Sequence, residues 1–223
     1  MVGAGRGMSQ RIEAAIVIFG AFGYFIFGAI YAVFDGSANP PITEGALEFL
    51  LIYEAVVAAV LGAFLLRRGW TAQRLGLAPT LVDSLIGFGL AAGFYVFYAA
   101  ISILLTLLSV RLTYLGSKES LVAGHLPVVV VLAVAVVNAA FEEIFVCGYI
   151  VTVARENQRL ATGVNASVAI RLAYHLYQGG AGVVGIIPFG LMCAWWFART
   201  GRLWPVMVAH AAIDATSLLY YSA

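Results

Sequence analysis

Long apolar runs separated by short polar breaks make up most of the chain. Seven can be marked, near Ala14–Phe34, Leu47–Leu66, Leu81–Val110, Leu126–Ala154, Ala161–Tyr177, Val183–Ala198 and Leu203–Tyr221. A helix that crosses the hydrocarbon core of a bilayer needs about 20 apolar residues. The pattern therefore predicts an all-α polytopic membrane bundle of about seven transmembrane helices. The third and fourth runs exceed the required length and must tilt or project beyond the bilayer, whereas the fifth and sixth are marginal. Gln178-Gly-Gly-Ala-Gly182, between those two, reads as a turn rather than a domain boundary. No internal repeat, low-complexity tract or polar domain interrupts the series, so residues 1–223 are expected to form a single transmembrane domain. Gly89-Leu-Ala-Ala-Gly93 has the small-xxx-small spacing that lets helices approach closely. The segment from Trp70 to Pro79 reads as an interfacial connector, with Trp70 and Arg74 at headgroup depth.

Composition sharpens this picture. The chain is 63% hydrophobic and 10% charged, against about 25% charged in a soluble domain. A net charge of +1 is too small to suggest a nucleic-acid partner, and membrane lipid is the expected surrounding. Cys147 and Cys193 lie inside apolar runs and are expected to be free, buried thiols. The N-terminal run is longer than the 7–15-residue core of a signal peptide and is followed by no clear cleavage site, so the first helix is expected to be retained. With the N-terminus in the cytoplasm, Arg6, Arg11, Arg67, Arg68, Arg74, Arg155, Arg159, Arg199 and Arg202 all fall inside, and only Arg111 and Lys118 outside. Basic loops stay cytoplasmic, which favours this orientation, in a bacterial cell membrane.

Candidate chemistry comes from the polar residues that interrupt the apolar runs. The fourth run carries two adjacent acids, Glu142 and Glu143, with Asn138 one turn before Glu142. Ionisable groups in hydrocarbon are costly and mark functional sites. The two acids point about 100° apart and are expected to take different partners, Glu142 facing a polar cavity and Glu143 an ion pair. Arg171 and His175 are four apart on the fifth run, and His210 and Asp214 four apart on the seventh. Arg171 lies too deep to snorkel easily to the interface and needs an acid, Glu142 or Glu143. At 1.5 Å per residue, Glu142 lies about 20 Å along its helix from Arg155 and His175 about 21 Å from Ala161, depths that permit convergence.

These residue types favour hydrolysis. A carboxylate beside a histidine can take a proton from water, and a second histidine can donate to the oxyanion formed at a carbonyl. There is no Gly-x-Ser-x-Gly elbow and no His-Glu-x-x-His zinc motif. Ser167 has no nucleophile context. A Cys147–His175 thiol dyad is disfavoured, because a cysteine in an apolar helix is usually inert. A metal held by Glu142, His175, His210 and Asp214 is chemically possible; no cofactor is expected.

Glu142-Glu143 followed by Gly148, then His175, then His210-x-x-x-Asp214 resembles the CAAX prenyl endopeptidase and bacteriocin-processing (CPBP, or Abi) family. Those are all-helical, metal-independent intramembrane glutamate-type peptidases with the pattern Glu-Glu-x-x-x-Arg, Phe-x-x-x-His and His-x-x-x-Asn or Asp. The resemblance covers roughly Asn138 to Leu218, within a core of about 126–221. It implies that Glu142 with His175 activates water, that Glu143 is their electrostatic partner, and that His210 and Asp214 line the oxyanion site. The substrate would be a peptide or lipidated protein. Two positions depart from the pattern: the family arginine is Cys147 here, and the family phenylalanine is Arg171. A compensated swap, in which the guanidinium moves to the next helix and still neutralises an acid, accounts for both. The competing readings are a proton-coupled transporter, disfavoured by the lack of inverted repeats, and a non-catalytic scaffold or immunity protein of the same fold.

Overall fold

The computed structural model describes residues 8–35, 42–110 and 126–222. Arg6, Arg111 and Lys118, three of the residues used to orient the chain, lie outside them. The described residues form α1 (Gln10–Asp35), α2 (Glu44–Arg67), α3 (Leu81–Leu107), α4 (Val128–Glu143), a π-helical turn (Ile144–Tyr149), α5 (Ile150–Glu156), α6 (Leu160–Tyr174), a 3₁₀ turn (Leu176–Gln178), α7 (Gly179–Thr200) and α8 (Trp204–Ser222). The expected all-α bundle is therefore present. α4, the π turn and α5 run on as one span, Val128–Glu156.

Local chemistry explains several boundaries. Thr43 and Thr80 cap α2 and α3, each accepting a hydrogen bond from a backbone N–H three residues on, at 3.2 and 3.0 Å. This satisfies donors that a helix start leaves free. α7 ends at Gly201, whose φ of 68° is the left-handed conformation that favours glycine at a helix C-terminus. The turn expected over 178–182 is shorter than that stretch: the 3₁₀ turn closes at Gln178 and Gly179 already begins α7.

Five spans among the described residues are long and apolar enough to cross a membrane: α1, α2, α3, Val128–Glu156 and Gly182–Thr200. α6 has 15 residues, about 22 Å of helix, less than the roughly 30 Å hydrocarbon core. α8 is long enough at 19 residues, but its polar residues dilute its hydropathy. The two helices that fall short of the expected seven spans are thus the ones that carry Arg171 and the His210–Asp214 pair.

The fourth span is the centre of the bundle, with 44% of its apolar window buried against 6% for α3. Phe141, Phe145, Val146, Cys147 and Tyr149 pack with Val17, Ala21 and Phe22 of α1 and with residues of α6, α7 and α8. α3 is peripheral and turns Phe88, Val96 and Leu107 outward, as a lipid-facing helix should. Its close approach to α8 is made at Gly87, where a Cβ would come within 2.6 Å of Val208 Cβ and 2.7 Å of the Pro205 carbonyl. Gly89 and Gly93 have nothing within 4 Å, so the small-residue contact is displaced from the spacing motif to Gly87 and Ala91, one turn apart and both buried.

Trp70 also departs from expectation. It is 3% exposed and serves as an internal clamp rather than a headgroup anchor. Its indole N–H donates to Glu13 Oε1 at 2.9 Å, Tyr149 donates to the same oxygen at 3.2 Å, and Arg68 donates to Glu13 Oε2 at 2.7 Å. Arg74 lies 3.8 Å over the Trp70 ring and makes a two-pronged pair with Glu156 at 2.8 and 2.7 Å. Arg155 donates to the Phe197 and Ala198 carbonyls, and Arg202 pairs with Asp83. These arginines gather at one end of the bundle, tying α1, the 70–79 connector, α3, α5 and α7 together.

Candidate active site

Glu142 and Glu143 close α4, and the helix widens into the π turn immediately after them. A π turn adds a residue to the helical circuit and recurs at functional sites; here it re-aims the Ile144–Tyr149 side chains relative to the two acids. Gly148 within it meets Leu203, whose Cδ2 would lie 3.0 Å from an added Cβ. Glu142 is 6% exposed and Glu143 fully buried.

The acids find their cation on α6. Arg171, 1% exposed, donates from Nη1 to Glu142 Oε2 at 2.9 Å and from Nη2 to Glu143 Oε1 at 2.6 Å. One guanidinium therefore serves both acids, contrary to the expectation of separate partners. The two carboxylates diverge, but the planar fork carries two outward N–H groups wide enough apart to meet one of each. The Phe189 ring lies 5.2 Å from the guanidinium carbon.

Tyr174, which the sequence reading passed over, donates its hydroxyl to Glu142 Oε2 at 2.5 Å. Its ring is stacked on Phe22 at 4.9 Å between centroids. Being three residues after Arg171 on the same helix, it had the periodicity to be found. His175 ends α6 instead of continuing its face, and its Nδ1 lies 3.0 Å from the Arg171 carbonyl oxygen. A carbonyl only accepts, so Nδ1 carries the proton and Nε2 offers a lone pair.

His210 of α8 approaches from the other side. Its Nδ1 is 2.7 Å from Glu143 Oε1, and its Nε2 is 3.4 Å from Asp214 Oδ2 and 3.9 Å from Glu142 Oε2. An unbroken polar chain results: Tyr174, Glu142, Arg171, Glu143, His210, Asp214. These pairs offset the burial of the charges, while Glu143 Oε2 and Arg171 Nε are buried with no hydrogen-bond partner among the described residues.

Beside this chain lies a cavity of about 130 Å³, lined among others by Phe22, Phe25, Glu54, Asn138, Glu142 and His175. That volume exceeds what a single water needs. Of the residues singled out from sequence, Asn138, Glu142 and His175 face the cavity. Arg171 and Glu143 stand behind Glu142; His210 holds to Glu143 and Asp214 approaches His210, and neither is among the residues that line the cavity. Glu54 of α2 is the other residue that sequence reading missed. It is 1% exposed and accepts from Asn138 Nδ2 at 2.8 Å, while the same nitrogen points to Glu142 Oε1 at 3.4 Å. The cost of an acid in mid-span applies to Glu54 as it does to Glu142, and that was the available signal.

Cys147 and Cys193 are free and buried, as expected. The Cys147 thiol sits 3.6 Å from Ser167 Oγ, so its partner is Ser167 rather than His175, and the thiol dyad has no geometric basis. For a metal, the set that converges is Glu142, Glu143 and His210, with ligand atoms within 4.8 Å of one another, not the four residues considered from sequence. The Arg171 guanidinium already occupies both acids of that set, a positive charge where the ion would bind.

Residues 123–216 match the family model described as type II CAAX prenyl endopeptidase Rce1-like. This stretch, less than half of the chain, is similar to the CAAX prenyl endopeptidase family. Neither the curated proteins nor the solved structures yield a match. The matched stretch contains Glu142, Glu143, Arg171, Tyr174, His175, His210 and Asp214. Glu54 and the α1 residues of the cavity lie outside it.

Proposed function

We propose that the chain is an intramembrane endopeptidase that hydrolyses a peptide bond of a membrane-associated or lipidated substrate with water activated by Glu142 and His175. The observation that carries this reading is the shared cavity of these two residues, in which each has its remaining polar atom tied back. Glu142 Oε2 is held by Arg171 and Tyr174, which leaves Oε1 for a proton. His175 Nδ1 is held by the Arg171 carbonyl, which leaves Nε2 as an acceptor for the same water.

In the reaction, water oxygen bonds to the scissile carbonyl carbon as Glu142 takes its proton. The tetrahedral oxyanion, reaching past Glu142 beyond the cavity wall, accepts a hydrogen bond from Nε2 of a doubly protonated His210 whose Nδ1–H is given to Glu143. The 3.4 Å separation from Asp214 is long for a hydrogen bond, so the oxyanion is the better acceptor when it forms. Collapse breaks the C–N bond, and the proton held on Glu142 passes to the leaving nitrogen, giving a carboxyl and an amine. Glu143 anchors His210 and shares Arg171 with Glu142. In this reading Arg171 fills the place of the family arginine that Cys147 lacks, and both termini of the swap lie beside the acid pair. The whole chain, 1–223, acts as one membrane domain with its N-terminus in the cytoplasm of a bacterial cell.

The test is cleavage of a peptide library that includes farnesylated peptides, by detergent-purified wild type, Glu142→Ala and His175→Ala. Cleavage by wild type that both variants lose supports the reading. Cleavage that either variant retains overturns the assignment, and cleavage abolished by chelators transfers it to a metal.

A further inference from the structure

Glu54 is not explained by the chemistry above. It comes from α2, outside the family-matched stretch, and its side chain reaches the wall of the cavity that holds Glu142 and His175. One oxygen, Oε1, accepts from Asn138. The other, Oε2, is buried and has no hydrogen-bond partner among the described residues. A purely structural link between α2 and α4 needs only the first oxygen, and a neutral amide makes it equally well. Leaving a buried acceptor unmet costs about 1–3 kcal/mol, and more when the group is charged. Folded proteins seldom keep such a group without a use.

The character of the cavity narrows what that use is. Among the polar atoms around it are three acceptors: Glu54 Oε2, Glu142 Oε1 beyond its long contact with Asn138, and His175 Nε2. The nearby guanidinium has both terminal nitrogens committed to Glu142 and Glu143. Aromatic rings of Phe22 and Phe25 complete the wall. Such a site complements a donor presented on an apolar background, which describes a peptide N–H carried on aliphatic residues. The water between Glu142 and His175 satisfies two of the acceptors, and Glu54 is left for the substrate.

We propose that Glu54 is a substrate-binding residue, its Oε2 accepting one backbone N–H of the bound peptide next to the scissile bond. This rests on the hydrolytic reading. Glu54 thereby determines specificity: a peptide that is tertiary at that nitrogen leaves Oε2 buried and unmet, and is rejected.

Glu54→Gln tests this. The amide keeps an oxygen for Asn138 and turns the other, unpartnered acceptor into a donor. The probe is a fluorescent farnesylated pentapeptide ending in a Cys-aliphatic-aliphatic-X sequence, together with analogues methylated at one backbone nitrogen each. KM and kcat are measured in detergent, and Kd by fluorescence anisotropy. The expected result is that wild type rejects one methylated analogue by a factor of about 3–10, the size of one hydrogen bond. Glu54→Gln raises KM for the parent peptide by a similar factor and loses discrimination at that one position, with the other positions unchanged. A Glu54→Gln protein that keeps wild-type KM and wild-type rejection of every analogue overturns the proposal, while leaving Glu142 and His175 in place. Wild type that binds the peptides without cleaving them overturns the hydrolytic reading, and the Kd series then decides Glu54 by the same pattern. Wild type that neither binds nor cleaves overturns both. Should Glu54→Gln not fold, Glu54→Asp, which withdraws the oxygen but keeps the carboxyl, is read by the same comparison.

Discussion

Removing the guanidinium from Arg171 is the perturbation whose consequence follows most directly from the geometry. Arg171 is 1% exposed and lies 2.9 Å from Glu142 and 2.6 Å from Glu143. At an effective dielectric of about 20, each contact is worth roughly 6 kcal/mol of Coulomb attraction, most of it offset by the cost of taking the charges out of water. The net cost of deleting one member of such a buried pair is about 3–5 kcal/mol. With about 1.36 kcal/mol per tenfold change, that is a shift of roughly 10²- to 10⁴-fold in the folding equilibrium. Arg171→Cys is expected to unfold at markedly lower temperature and lower dodecyl sulfate fraction than wild type in detergent, and to lose cleavage. The informative partner is the exchange Cys147→Arg with Arg171→Cys, which keeps the same atoms and returns the cation to the position expected from the family pattern. Cys147→Arg alone adds a second buried cation and is expected to destabilise. The exchange is expected to recover at least half of what Arg171→Cys loses. An Arg171→Cys protein within about 1 kcal/mol of wild type, or an Arg171→Ala protein that is fully active, refutes the reasoning. So does an exchange no more stable than either single variant.

Three further outcomes are expected. Tyr174→Phe removes the hydroxyl donor to Glu142 Oε2, and cleavage is expected to fall about tenfold or more with thermal stability little changed; an unaltered rate means that Tyr174 does not position the acid. Trp70→Phe strips Glu13 of its indole donor, worth about 1–2 kcal/mol, so the melting temperature should drop by about 2–8 °C while KM and kcat hold. Gly87→Ala drives a methyl into Val208 and the Pro205 carbonyl and is expected to cost about 1–3 kcal/mol, read as loss of thermal stability; Gly89→Ala, facing open space, is its control and should be neutral.

What the chain disclosed in advance, and what it withheld, follow from where each signal lives. Apolar run length alone gave the helices, because a membrane leaves few other structures for such runs. The same cost argument picked out Glu142, Glu143, Arg171, His175, His210 and Asp214; the i, i+4 spacing places His210 and Asp214 on one side of α8, but not Arg171 and His175 on one side of α6, because His175 lies just past its end. It did not anticipate that Arg171 would serve both acids, since this depends on the reach of a guanidinium between two helices rather than on angle within one. The π turn at Ile144–Tyr149 had no signal in hydropathy, yet it sets where Cys147, Gly148 and Tyr149 point. Trp70 read as an interface residue because tryptophans near basic residues usually are; only tertiary packing shows Glu13 accepting its N–H, with Tyr149 donating to the same oxygen. Glu54 was legible by the rule already in use, but it stands alone on α2 without a second polar residue one turn away, and so drew no notice.

The central claim is that a water between Glu142 and His175 cuts a peptide bond. Its most direct measurement is the initial cleavage rate of the farnesylated pentapeptide by detergent-purified protein. Wild type, Glu142→Gln and His175→Ala are compared at equal folded concentration, with and without a chelator. Wild-type cleavage that is unaffected by the chelator and falls by about 10²- to 10⁴-fold in each variant is the predicted result. Cleavage that persists in either variant, or that the chelator alone abolishes, contradicts it.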